Sequence, residues 1–103
     1  AGGIHRRRSI RKLYIFRVIK EEQRMREQLY KLIIENCGIP DIKENDTWKS
    51  IGMESLGYIG LIVDIEKMYS IEVKDDLLMY NENTVVEKFV SEIINLISQK
   101  DTV

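Results

Sequence analysis

Cysteine, histidine and proline occur once each in the 103 residues, as Cys37, His5 and Pro40. No apolar run approaches the roughly 20 residues needed to span a bilayer. A lone cysteine excludes an internal disulfide and any multi-cysteine metal site. With His5 as the only histidine, neither Ser55 nor Cys37 has a convincing base, and no Gly-x-Ser-x-Gly elbow occurs. A hydrolase triad is therefore not expected. Cys37, at the end of an amphipathic segment, reads as a core-lining thiol, and His5 as a solvent-exposed side chain. Asp75 and Asp76 are adjacent, but no Asp-x-Asp-x-Asp-Gly loop surrounds them, so they read as solvated surface rather than a metal site. The stretch LYIFRVI is interrupted by Arg17 and lacks a small-residue cleavage site, which argues against a signal peptide. Nothing requires an oxidising compartment, and the expected location is the cytoplasm.

What the chain does have is charge, unevenly placed. Residues 1–31 hold ten Lys/Arg against three Glu, a balance of +7, whereas residues 32–103 hold six Lys/Arg against fourteen Asp/Glu, a balance of −8. A basic head can attract nucleic acid or an anionic membrane surface. HRRRSIRKLYIFRVIKEEQR contains no recognisable nucleic-acid motif, and neither nucleic acid nor membrane is expected as a partner. Lys20-Glu21-Glu22 can be encoded by AAGGAGGAG, which resembles a bacterial ribosome-binding site a short distance upstream of Met25. The expectation is that Met25 is the natural start. Residues 1–24 are then a basic extension, either translated leader or vector sequence or a helical addition, kept apart from fold reasoning. One domain fits the remaining length, and a small domain buries only about 60% of its unfolded surface.

From Met25, apolar residues at Leu29, Leu32, Ile33 and near Cys37 follow one helical face, and Gly38 with Pro40 gives a stop. Ile10 to Ile19 can extend this helix backwards. GIPDIKENDTWKSIGM mixes turn formers with Ile39, Ile42, Trp48, Ile51 and Met53, a long loop pinned to a core; loops of that length are more often functional than idle. Thr84 and Glu87 have capping-box spacing, and Val86, Phe89, Val90, Ile93, Ile94 and Ile97 predict a final amphipathic helix. Between them, the helix after Ser55 is apolar on two sides. Tyr58, Leu61, Ile62, Ile65 and Tyr69 form one stripe; Leu56, Ile59 and Val63 form another nearly opposite. The second stripe is either a partner surface or is covered by the first helix or the basic head. Ser55 has two readings as well: an N-cap worth about 1 kcal/mol, or a modified hydroxyl whose phosphate would meet free N–H groups and the helix dipole.

The order GMESLGYIGLIVDIEKMYSIEVKDDLL, followed by NTVVEKFVSEI, closely resembles the acyl and peptidyl carrier proteins, from about Met25 to Ile97. That family carries Gly-x-Asp-Ser-Leu, a hydrophobic-acidic helix, a short acidic helix and a Thr-Val that opens the last helix. The resemblance implies an all-α, four-helix carrier bundle, three main helices and one short, with a long loop between the first two and the domain spanning residues 25–100. It implies covalent phosphopantetheine, taken from coenzyme A through a phosphodiester at Ser55, whose terminal thiol holds an acyl or aminoacyl group as a thioester. Glu54 stands for the usual Asp and Leu56 completes the motif. The docking surface it implies comprises Glu54, Leu56, Ile59, Val63 and Glu66, with Val73, Asp75 and Asp76 flanking it, and Trp48 anchors the long loop. The implied partners are a phosphopantetheinyl transferase and acyl-loading and acyl-processing enzymes; the carrier itself is a monomer and not an enzyme.

Gly57 and Gly60 stand where fatty-acid carriers commonly have acidic residues, and Lys67 and Met68 dilute the acidic run further. Each Gly also costs roughly 1 kcal/mol of helix propensity relative to Ala. A docking face with less charge and more apolar area points to a specialised pathway: polyketide, nonribosomal peptide or modified-acyl assembly. The alternatives are a housekeeping fatty-acid carrier and, more remotely, a helical adaptor in which Ser55 only caps a helix.

Overall fold

The computed structural model describes residues 2–101, with side chains for 12–99. Four helices follow in order: α1 Gly2–Cys37, α2 Ser55–Tyr69, α3 Asp75–Leu78 and α4 Val86–Asp101. No strand occurs among the described residues, and the only extended pairing among them is an isolated antiparallel bridge between Thr47 and Val85. His5 lies outside the residues whose side chains are described.

The first helix is longer than the Met25–Cys37 pattern requires. It runs unbroken from Gly2, so the backward extension through Ile10–Ile19 is real helix. At 1.5 Å per residue its length is about 54 Å. That accounts for a molecule 59 Å long but only 29 × 20 Å across. α1 ends where the sequence predicts, with Gly38 at φ 68 donating its N–H to the Ile34 carbonyl at 2.8 Å. Only glycine holds that left-handed conformation without a Cβ penalty.

The core is built by the apolar faces read from periodicity. Leu29 and Ile33 of α1 meet Tyr58, Leu61, Ile62 and Ile65 of α2 and the six-residue face of α4, with Trp48, Ile51 and Met53 from the long loop and Val73 from the α2–α3 connection. All are at most 6% exposed. Four rings occupy one end: Trp48 stands edge-on to Tyr58 at 5.4 Å and to Phe89 at 5.1 Å, and Tyr58 also meets Tyr80 and Phe89. Such edge-to-face pairs add roughly 0.5–1.5 kcal/mol each beyond the area they bury.

Trp48 thus pins the loop, and backbone bonds fix it in register. Trp48 N–H donates to Thr84 O at 3.1 Å, Lys49 N–H to Glu82 O at 2.9 Å and Val86 N–H to Asp46 O at 2.8 Å. These bonds displace the capping box expected from Thr84 and Glu87. α4 begins at Val86, one residue too late for Thr84 to cap it, and the Asp46 carbonyl satisfies its first N–H. The Glu87 carboxylate turns instead toward α1, where it pairs with Arg26 and accepts from the Tyr30 hydroxyl.

Candidate functional site

The site grows from a tight turn. Gly52 takes φ 78, its N–H bonds to Lys49 O, and Met53 N–H returns to Trp48 O at 2.9 Å. Met53 is buried, and its carbonyl accepts the Tyr80 hydroxyl. The chain therefore enters α2 from a fixed point. Glu54 follows in extended geometry, φ −103 and ψ 163, as the N-cap; its carboxylate makes no capping bond.

Ser55 is the first residue of the helix, not its cap. The first α-helical bond runs from Tyr58 N–H to Glu54 O at 2.9 Å, which leaves the N–H groups of Ser55, Leu56 and Gly57 without helical acceptors. Ser55 is exposed, and its hydroxyl makes no hydrogen bond among the described residues. The capping reading of Ser55 is thereby overturned, since its hydroxyl holds nothing in the fold. A phosphate ester on this oxygen fits the surroundings: open space, three unpaired amides and the positive end of a helix dipole.

Two long-range bonds hold the floor beneath it. The buried Tyr58 hydroxyl donates to Leu77 O, tying α2 to α3, while Tyr80 ties the α3–α4 loop to Met53. Burial pushes the Tyr58 phenol up to about 12, with Glu92 adding to the shift. An open groove of ≈ 740 Å³ lies alongside, lined by Tyr58, Leu77, Tyr80, Asn83, Lys88 and Phe89 among others. These tyrosine roles are invisible in a periodicity reading, because each partner is a backbone carbonyl distant in sequence.

The second stripe of α2 faces solvent. Leu56 is 84% exposed, Ile59 45% and Val63 40%, so neither α1 nor the head covers it. Glu54, Asp75 and Asp76 are exposed as well, and Glu66 is half-buried. Val73 is different: at 4% exposure it belongs to the core, and as a direct docking residue it is corrected. Its N–H donates to the Glu66 carboxylate at 3.0 Å, so Glu66 also holds the loop after α2. Leu78 and the 79%-exposed Met79 are further surface apolar groups at the end of α3 that the pattern reading missed; a four-residue helix is too short to show a periodicity.

Other candidates fall away. Cys37 is half-buried, and burial pushes its thiol up, which lowers the thiolate fraction. Among the described residues no group of three or more His, Cys, Asp or Glu could hold a metal ion. Among them, too, no helix is long and apolar enough to cross a membrane.

A small all-α bundle that presents an unengaged serine at the head of its second helix, beside an exposed apolar stripe, has the architecture of a carrier domain. The family described as a phosphopantetheine attachment site matches residues 27–93, and the chain belongs to that family. It is a carrier protein with covalently attached phosphopantetheine as its prosthetic group. No curated protein and no solved structure matches it significantly.

Proposed function

We propose that Ser55 is the attachment residue and that the chain is a discrete, non-catalytic carrier holding acyl or aminoacyl intermediates for a specialised pathway of polyketide, nonribosomal peptide or modified-acyl type. One observation supports Ser55 above all: its hydroxyl is exposed and unbonded while the amides around it are unpaired, an arrangement with no structural use of its own. When bound, the phosphopantetheine arm supplies a thiol that keeps an acyl group activated as a thioester. This chain's own residues do the rest. The Gly52 turn and the Tyr80 bond to Met53 O fix where Ser55 stands, and the α2 dipole favours the phosphate. Leu56, Ile59 and Val63 offer the apolar part of a docking contact, and Glu54, Glu66, Asp75 and Asp76 steer basic partners. Docking makes each enzyme visit effectively intramolecular.

A specialised partner set is supported by the thin charge of this face. Gly57 and Gly60 leave the exposed side of α2 without carboxylates at two positions, and Lys67 adds a positive charge to it. Intact mass after incubation with coenzyme A and a broad-specificity transferase tests the carrier role. Gain of one phosphopantetheine, lost in Ser55→Ala, supports it; modification of Ser55→Ala contradicts the site. Acyl transfer by housekeeping fatty-acid enzymes at a normal rate contradicts the pathway.

A further inference from the structure

We infer that this chain associates with copies of itself, the amino-terminal part of α1 in one copy docking on the exposed face of α2 in the next. The inference rests on the docking role given above to that face.

The first observation is an apolar patch that nothing in its own molecule covers. Between residues 12 and 24 every α1 side chain is exposed, and burial starts only with the half-covered Met25 and the buried Leu29. Leu13 and Tyr14 are 68% and 69% exposed, Ile15 58% and Phe16 55%. At 100° per residue, Tyr14, Ile15, Val18 and Ile19 lie on the same side of α1 as Leu29 and Ile33. The face that is core lower down the helix is bare further up.

The second observation is a matching surface on the same chain. Leu56, Ile59 and Val63 are also uncovered, and the two patches agree in length: about 8 Å from Tyr14 to Ile19 and about 10 Å from Leu56 to Val63 at helical rise. Their charges are opposite. Residues 1–24 carry eight Lys/Arg against two Glu, and residues 32–103 carry the −8 balance. The opposition is one of net charge between head and body: beside the first patch stand Lys12, Glu21, Glu22 and Arg26, with Arg17, Lys20 and Arg24 on the far side of α1, and beside the second stand Glu54, Glu66 and Lys67. An apolar contact drawn together by opposite net charge suits a protein interface.

Geometry and charge select a second copy as the occupant. α1 is one continuous helix whose tip projects along the 59 Å axis, away from its own α2, so the contact cannot close within one molecule. Pairing two heads would set +6 against +6. A membrane surface fits less well, because Glu22 follows Ile19 on the same side and limits the apolar face to about two turns, short for an interfacial helix. Since Leu56 is adjacent to Ser55, a docked head also competes with the transferase for this surface.

Sedimentation velocity on the full chain, over a concentration series at low and high salt, tests this. The wild type should rise in mass to two or more chains at low salt and fall toward one at high salt. Ile15→Glu and Val63→Asp should each remain one chain, with helicity unchanged by circular dichroism, because both sites are exposed. Mixed, these two variants should form a complex of one chain of each, since one retains α2 and the other retains the head. A wild type that is monomeric throughout overturns the inference. So does a Val63→Asp protein that associates like wild type, or a monomeric wild type that co-sediments with phosphatidylserine vesicles. Modification of Ser55 in the monomeric Ile15→Glu variant reports on the carrier role separately.

Discussion

Tyr58→Phe removes a single oxygen from the most crowded part of the core, and the stability it costs depends on pH. The ring stays, with its neighbours Trp48, Phe89 and Tyr80 at centroid distances of 5.4, 5.6 and 5.4 Å. What goes is the hydroxyl that donates to Leu77 O and ties α2 to α3. Such a bond is worth about 0.5–1.5 kcal/mol net. For a domain of this size each kcal/mol moves Tm by roughly 4–8 °C. Tyr58→Ala would also remove the ring, at about 3–5 kcal/mol. That is a large share of the roughly 4–11 kcal/mol expected for about 75 residues, so the phenylalanine variant is the informative one. The Tyr58 phenol is held at about 12, above its ordinary value of 10.0, chiefly by burial. Between these values unfolding releases a proton, so the stability linked to Tyr58, complete below pH 10, drains away as pH rises toward 12. The phenylalanine side chain of the variant has no proton to lose. The upward shifts of Tyr30, Tyr69 and Tyr80 are common to both proteins and cancel in the comparison. Thermal melts followed by circular dichroism should show Tyr58→Phe melting several degrees lower at neutral pH, with the gap narrowing above pH 10. Equal Tm at neutral pH, or a gap that widens in alkali, would show that the hydroxyl does not stabilise the fold in this way.

Gly60→Ala should raise stability by roughly 0.5–1 kcal/mol in urea melts, because a Cβ there meets open space and alanine favours the helix. Gly57→Ala should gain less, since its Cβ would stand 3.1 Å from the Met53 sulfur. Val63→Asp puts a charge into the proposed docking face and should impair acyl transfer with the cognate enzyme. Glu66→Gln keeps the acceptor for Val73 N–H and should mainly slow association, an effect that fades as salt rises; unchanged transfer by Val63→Asp would remove the stripe from the docking surface. Deleting residues 1–24 should preserve cooperative unfolding and Ser55 modification, since the core begins at Leu29, and an unfolded product would make the head part of the fold.

Much of this architecture is written in periodicity. The α4 face is legible because all six of its apolar residues are buried, and the two stripes of α2 separate cleanly into core and surface. The head of α1 is harder to read, because its apolar residues serve no core and so show no clean polar alternation. The Thr84–Glu87 spacing misleads for a different reason: a carbonyl from Asp46, far back in the chain, takes the N–H that a local cap would have served. Local signals cannot register a distant competitor. Ser55 shows the same limit at one-residue scale. Its position after Glu54 and before an apolar run suits either a cap or a first helical residue, and only the backbone angles of Glu54 separate them. The tyrosine bonds to Leu77 O and Met53 O leave no trace in the pattern at all, yet they set where Ser55 stands.

The carrier role depends on the exposed hydroxyl of Ser55 bearing the prosthetic group. Wild-type and Ser55→Ala proteins, matched in helicity, are incubated with coenzyme A and a broad-specificity phosphopantetheinyl transferase, and their intact masses are measured. The wild type should gain one phosphopantetheine and Ser55→Ala none, with peptide mapping placing the group on Ser55. A folded wild type that gains nothing, or a Ser55→Ala protein that is modified, would mean that this hydroxyl is not the point of attachment.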